Sequence, residues 1–172
     1  SRCARSWCVR PVIGLSASGR TPYTVGALRY ARSRRCTTVA IACNPGSPLE
    51  RVAHIGIISL TGAEILSGST RMKAGLAQKM VLQMISTAAM AQLGHIYRNY
   101  MVGVRPTNEK LVARACGIIS RITGAPMDVA RTTLSEAGND VRTAIVMLAK
   151  GLPAKAAALS LKRHGGDLRK IL

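Results

Sequence analysis

The stretch that decides the fold is residues 12–31, VIGLSASGRTPYTVGALRYA, in which a short apolar run leads through a Ser- and Gly-rich loop into a helical pattern. The run at 12–15 is typical of a buried strand. Behind the loop, Val25, Leu28 and Ala31 recur at the spacing of one helix face. The stretch therefore predicts a strand, a loop and a helix in direct succession.

The loop of this stretch ends at a predicted helix N-terminus. Thr21 is a predicted N-cap, and Pro22 then takes the first helical position, where its missing N–H is harmless. Unpaired N–H groups and the positive end of the helix dipole favour an anion at such a place. The loop adds hydroxyl donors, a flexible glycine and a positive charge: Ser16, Ser18, Gly19, Arg20 and Thr21. We predict a phosphate site here; an ordinary capped turn with nothing bound is the alternative.

Two named motifs come close to this loop without matching it. The spacing Gly14-x4-Gly19-Arg20-Thr21 resembles a Walker A loop, but Arg20 stands where that motif requires Lys. No apolar strand downstream ends in an Asp that could hold magnesium. A nucleophile elbow would need Gly where Ser18 stands. The sequence therefore disfavours both nucleotide hydrolysis and a serine nucleophile.

Length and composition predict a soluble protein with one core and a small second domain. The chain has 172 residues, 48% of them hydrophobic. Its longest apolar runs are broken by Gly, Ser or Arg, so no membrane span is predicted. We expect a cytoplasmic protein.

The charge balance is strongly basic, with 25 Lys and Arg against 7 Asp and Glu and a net charge of +18. Such a charge suggests a polyanionic partner. The basic residues are spread along the chain, however, and only 3% of residues are aromatic, which leaves little to stack bases on. The sequence therefore predicts only non-specific binding of nucleic acid.

Cysteine and histidine spacing predicts neither a disulfide framework nor a metal site. The cysteines are odd in number and lack C-x-x-C spacing, and the histidines are far apart: Cys3, Cys8, Cys36, Cys43 and Cys116; His54, His95 and His164. No metal and no cofactor are predicted, and the thiols fit a reducing cytoplasm.

Two further apolar runs predict strands, TTVAIAC at 37–43 and HIGIISL at 54–60. The turn-rich NPGSPL at 44–49 lies between them. Near-continuous apolar strands alternating with helices are typical of a parallel sheet that is covered on both faces. The sequence therefore predicts an α/β fold.

A long helix follows, with an apolar stripe that we expect to face the core. The stripe consists of Leu76, Met80, Met84 and Ala88, with Val81 and Ile85 beside it. At the start of this helix Ser69 and Thr70 can act as caps. Arg71 and Lys73 follow in the first turn, where cations oppose the dipole. An anion held nearby would explain that placement; a solvated basic turn is the alternative.

The remainder predicts helices only, at 107–122, 126–137, 139–150 and 153–163, each separated by Gly, Pro, Asn or Asp. Three segments follow from the whole pattern. Residues 1–11 are an atypical basic segment, residues 12–105 a partial sheet domain, and residues 106–172 a small all-helical domain.

Four segments resemble the N-acetylmuramic acid 6-phosphate etherases, which carry a sugar isomerase (SIS) domain. They are GLSASGRTPYTVGALRYAR, CNPGSPL, GAEILSGSTRMKAGLAQKMVLQMISTAAM and YRNYMVGVRPTNEKLVARA, and the resemblance covers about residues 12–172. It implies a partial SIS-type parallel sheet with flanking helices, a phosphosugar ligand, a homodimer, and a lyase that releases D-lactate in cell-wall sugar recycling. It also implies substrate contacts for the loop residues Ser16, Ser18, Gly19, Arg20 and Thr21, and for Glu64, Ser69 and Lys73.

The sequence also departs from the pattern of that family. Family members usually have Pro at the position of Ala63, Asp at those of His54 and Gly103, and Lys at that of His95. They also carry an upstream half with a GTSGR loop and two catalytic glutamates, for which this chain has no counterpart. We therefore expect no catalytic residue here and a truncated chain that is inactive alone. A non-catalytic, regulatory phosphosugar-binding module is the alternative.

Overall fold

The structure is a computed structural model that describes residues 11–172. The predicted basic segment therefore lies outside the described residues, except for Pro11. The strands are β1 (Val12–Leu15), β2 (Thr38–Ala42), β3 (Ile55–Ile58), β4 (Ile96–Tyr97) and β5 (Tyr100–Met101). The helices are α1 (Pro22–Ser33), α2 (Pro48–Val52), α3 (Lys73–Gln92), α4 (Glu109–Thr123), α5 (Met127–Glu136), α6 (Val141–Lys150) and α7 (Ala154–Arg163), with a 3-10 turn at Leu168–Lys170.

The chain forms two compact units that divide inside α3, after Met84. We call the part up to Met84 the sheet unit and Ile85–Leu172 the helical unit. The mixed α/β class predicted from the sequence is confirmed. The sequence boundary between residues 105 and 106 stays a prediction, since compactness alone does not show which segment folds by itself.

The sheet unit is built on three parallel strands in the order β1-β2-β3. Helices α1 and α2 cover one face, where Val25, Leu28, Ala40 and Leu49 form the core. Gly14 lies in β1 beneath α1, and a Cβ built on it would lie 3.0 Å from the Leu28 side chain. The small residue lets the helix pack closely on the strand.

The opposite face of the sheet is covered only in part by the described residues. Ile41 in the central strand is fully buried, but Ile13 is 37% exposed and Ile55 is 51% exposed. The expectation of a sheet covered on both faces is therefore wrong for the described part of this chain. An apolar strand sequence indicates that the faces of the strand tend to be buried, but it does not show which element of the protein buries them.

The predicted core stripe of α3 is also corrected by the structure. Leu76, Met80 and Met84 are 60–63% exposed, and only Ala74 and Val81 of this helix are buried. A different face of the helix contacts the sheet: Gln78 Nε2, on that face, donates to the Ile41 carbonyl oxygen at 3.5 Å. The helical periodicity correctly identified an apolar face, but the inference that this face is buried in the core was wrong.

The helical unit has its own core, formed by one face of each of α4 to α7. Its fully buried large side chains include Ile119, Leu134, Ile145 and Leu168. The four predicted helices are confirmed, and their ends differ from the sequence expectation by at most two residues.

The ends of these helices follow sequence signals. Asn108 caps α4, because its side-chain oxygen accepts from the Leu111 amide at 2.9 Å. Gly124 and Gly151 end α4 and α6 in the left-handed conformation, with φ of 77° and 63°.

The short hairpin β4–β5 was not predicted. Its two-residue strands are too short to show an alternating pattern, and its turn contains Arg98 at a φ of 54°. Among residues 11–172, no single helix is long and apolar enough to cross a membrane. Helices α6 and α7 pass that test only as a pair bent by 107°, and both contribute buried residues to the core of the helical unit.

Candidate functional site

Three loops of the sheet unit meet where the strands end, which is where ligands bind in open parallel sheets. They follow β1, β2 and β3 and contain residues 16–21, 43–47 and 59–72. A cavity of about 620 Å³ lies among them. It is lined by Ala17, by residues 43–45, 60–64 and 67–70, and by Ala74.

The loop after β1 is closed by its own side chains. Ser16 is buried, and its Oγ lies 2.8 Å from Thr21 Oγ1 and accepts from the Gly19 amide at 3.1 Å. Ser18 Oγ accepts from the Arg20 amide at 3.2 Å. The hydroxyl of Ser16 therefore holds the turn, a role that the sequence did not predict.

Gly19 fixes this loop against the next one. Its φ is 65°, in the left-handed region, and a Cβ at this position would overlap the Ser47 side chain. The Gly19 carbonyl oxygen accepts from the Leu49 amide at 2.9 Å. Ser47 is buried and caps α2 by accepting from the Glu50 amide. The loops after β1 and β2 are thus locked together, and only glycine fits at position 19.

The N-terminus of α1 has no side-chain cap. Thr21 occupies the N-cap position, but it makes no capping hydrogen bond and its hydroxyl is directed to Ser16. The first turn of α1 contains no acidic residue, and Arg20 just before it is exposed. Pro22 has no N–H, and the Val25 amide donates to the Thr21 carbonyl oxygen at 3.0 Å. The Tyr23 and Thr24 amides are therefore the ones left for an anion.

The N-terminus of α3 is occupied by Glu64. Its two carboxylate oxygens accept from the Lys73 amide at 3.0 Å and from the Ala74 amide at 2.9 Å. Lys73 Nζ in turn donates to the Ala63 carbonyl oxygen at 2.7 Å. The anion expected near the basic first turn of α3 is therefore a side chain of the protein itself. The two amide hydrogen bonds, with a smaller contribution from the Lys73 charge, lower the pKa of Glu64.

Cys43 lines the cavity but does not have the environment of a nucleophile. Burial raises the pKa of its thiol, the hydrogen bond with Thr61 opposes that effect, and the Glu64 charge adds to it. The thiol therefore stays protonated at neutral pH.

Of the eight predicted site residues, Glu64 and Ser69 line the cavity. The loop 16–21 reaches the cavity only through Ala17, and Lys73 lies next to it through its bond to Ala63. Asn44 and Thr61 were missed as lining residues. Their position in the loops that follow β2 and β3 is the signal that could have found them.

Comparisons with known proteins show which sequences this chain resembles. A family model of the SIS domain matches residues 9–91 of the chain. The chain is also 53% identical over 161 residues, 94% of its length, to an N-acetylmuramic acid 6-phosphate etherase of Pectobacterium atrosepticum. It is 52% identical over the same share to etherases of Enterobacter sp. and Salmonella typhi.

The predicted resemblance to the etherases is thereby confirmed. The match covers 53% of the Pectobacterium protein and 54% of the other two. The chain therefore spans about half the length of these curated relatives.

The Gly19–Ser47 contact predicts the effect of Gly19→Ala. The variant should lose ~1–3 kcal/mol of stability, because it combines a left-handed backbone with an overlap against Ser47. Chemical denaturation measures this loss. Gly26→Ala is the matched control, since Gly26 lies in α1 with open space around it, and this variant should be neutral or slightly stabilising. Equal stability of the two variants would contradict the account of the loop.

The Glu64 cap predicts a pH dependence at the start of α3. Because the folded pKa of Glu64 is lowered, its stabilisation is complete above the unfolded pKa and is lost as pH falls through the folded pKa. The amide NMR signals of Lys73 and Ala74 should move together over that acidic range. Glu64→Gln should abolish the step, whereas a step that persists in this variant would refute the assignment.

Proposed function

We propose that the SIS domain of this chain binds the phosphate group of a sugar phosphate at the N-terminus of α1. The observation that carries the proposal is the difference between the helix ends around the site. Ser47 caps α2 and Glu64 caps α3, but α1 has no side-chain cap. A phosphate would supply the missing acceptor, and the exposed Arg20 would add a charge-assisted contact. The printed names of the relatives, which are etherases of a 6-phosphate sugar, support the same ligand class.

The cavity next to this helix end is suited to the sugar ring. Its volume of about 620 Å³ is within the range of small-molecule sites, and polar side chains from the loops after β2 and β3 line it. We assign the sugar hydroxyls to side chains such as Asn44, Thr61 and Ser69. Glu64 stands at the same cavity, but a substrate hydroxyl would have to compete with two backbone amides for its carboxylate.

We further propose that this chain belongs to an etherase-type lyase but does not cleave the substrate by itself. The reaction implied by the resemblance uses one carboxylic acid and one carboxylate. Glu64 is the only carboxylate among the residues that line the cavity, and its pKa is lowered, which is unfavourable for a general acid. The alternative, a regulatory phosphosugar-binding module, is equally consistent with a cavity that is lined by a single carboxylate.

The homodimer and the cytoplasmic location stay predictions. The exposed apolar stripe of α3, with Leu76, Met80 and Met84 about 60% exposed, is a surface that a second subunit could cover.

The proposed phosphate site predicts the effect of replacing its hydroxyls. The double variant Ser18→Ala, Thr21→Ala should weaken binding of N-acetylmuramic acid 6-phosphate by ~1–3 kcal/mol, through loss of hydrogen bonds to a charged group. Isothermal titration calorimetry measures the change. Ser33→Ala, at the other end of α1, is the control and should bind as the unmodified chain does. An unchanged affinity in the double variant would mean that the loop is only a turn.

The single carboxylate predicts that the 172-residue chain releases no D-lactate from N-acetylmuramic acid 6-phosphate. Loss of one general acid or base typically reduces a rate by about 10²–10⁴-fold. An enzymatic D-lactate assay tests this, with the full-length Pectobacterium relative as positive control. Robust release by the short chain would overturn the prediction and make Glu64 the first candidate catalyst.

A further inference from the structure

The helical unit contains a cavity of its own, of about 690 Å³, which the proposed sugar site does not use. It lies between the segment that follows the β4–β5 hairpin and the start of α6. Its walls carry two arginines and a histidine, namely Arg105, Arg142 and His95, together with Thr107, Asn139 and Asp140. We call it the Arg142 cavity.

Arg142 is a largely buried cation whose hydrogen bonds are incomplete. Its side chain is 24% exposed, and its Nε is buried without a hydrogen-bond partner among the described residues. Its Nη1 makes one long bond of 3.4 Å to the Gly166 carbonyl oxygen. A guanidinium group in such surroundings is costly unless an acceptor compensates it. Arg142 lines the cavity and its side chain is not fully buried, so an acceptor in the cavity can lie next to it.

The nearest carboxylate does not complete the pairing. Asp140 Oδ1 lies 3.8 Å from Arg142 Nε, beyond hydrogen-bond distance, while Asp140 Oδ2 accepts from the Thr143 hydroxyl at 2.6 Å. Arg105 is exposed at the cavity and makes no ion pair within residues 11–172. The wall therefore carries two full positive charges against one carboxylate that is already engaged.

The cavity is held open by close packing around glycines. The His95 imidazole lies against Gly103, where any Cβ would overlap it. A Cβ on Gly94 would lie 2.8 Å from the Gly166 carbonyl oxygen, the same oxygen that Arg142 contacts. The segment that carries His95 and the Arg142 side chain therefore both contact the Gly166 backbone. Such packing fixes the positions of the His95 and Arg142 side chains before any ligand arrives.

We propose that the Arg142 cavity is a binding site for a small oxyanion, a phosphate or carboxylate group of a metabolite. The anion lies against the exposed part of the Arg142 guanidinium and pairs with Arg105. The presence of Asp140 limits the site to small ligands with one or two negative charges, because a polyanion would bring further charge against that carboxylate. The proposal concerns the helical unit alone and does not depend on the sugar site.

The test is a residue-resolved NMR titration of the 172-residue chain with inorganic phosphate and, separately, with acetate, at constant ionic strength. We expect saturable shifts of the His95 ring and the Gly103 amide with at least one of the two anions. Arg105→Gln, which alters an exposed side chain, should weaken the binding about tenfold, the loss of one charge-assisted contact. Lys155→Gln removes the same charge from the exposed side of α7 and should leave it unchanged.

The absence of saturable shifts at His95 and Gly103 with both anions would overturn the proposal. Equal weakening by Arg105→Gln and Lys155→Gln would overturn it as well, because the binding would then reflect only the net charge. Signals of residues 16–24 report separately on the sugar site, so failure of that site and failure of this one are distinguishable.

Discussion

The contact between Gly19 and Ser47 is the constraint on which the candidate site depends. It brings the loop after β1 so close to the loop after β2 that no side chain fits between them. Two backbone hydrogen bonds connect the same two loops. The Leu49 amide donates to the Gly19 carbonyl oxygen and the Cys43 amide donates to the Ala17 carbonyl oxygen, each at 2.9 Å. Helix α1 therefore starts at a fixed place relative to the cavity, and its first-turn amides have a fixed direction. A site that is rigid before binding loses less entropy when the ligand arrives.

The proposed phosphate site follows from the different states of the helix ends around the cavity. Helix α3 begins at the cavity, α1 follows a loop that reaches the cavity through Ala17, and both helices lack an acidic residue in their first turn. Glu64 supplies the anion for α3 from within the chain, whereas Thr21 gives its hydroxyl to Ser16 and leaves α1 open. In the proposed site, selectivity for the start of α1 does not come from the strongly basic composition. It comes from the fact that the amides at the start of α3 already have an acceptor, whereas those at the start of α1 do not.

Local patterns predicted the local structure well. The strand, loop and helix at 12–33 were predictable because Pro22 and the apolar spacing act over a few residues. The helices of the helical unit were predictable for the same reason, since Asn108, Gly124 and Gly151 mark their ends. The two-residue strands of the hairpin gave no such signal.

Contacts between distant parts of the chain were not predictable from one sequence. The exposure of Met80 depends on what packs against α3, which its own periodicity cannot show. The use of Glu64 as the cap of α3 depends on a loop that returns across nine residues. The internal role of Ser16 was missed because a serine in a loop gives the same pattern whether its hydroxyl closes a turn or binds a ligand.

A map of amide NMR shifts as N-acetylmuramic acid 6-phosphate is added to the chain tests directly whether the phosphate binds at the start of α1. We expect the largest shifts at the uncapped start of α1, in residues 17–24, while the Lys73 and Ala74 amides keep their hydrogen bonds to Glu64. Shifts that are largest at Lys73 and Ala74, with residues 17–24 unaffected, would contradict this expectation, because the anion would then have displaced Glu64 and left α1 empty.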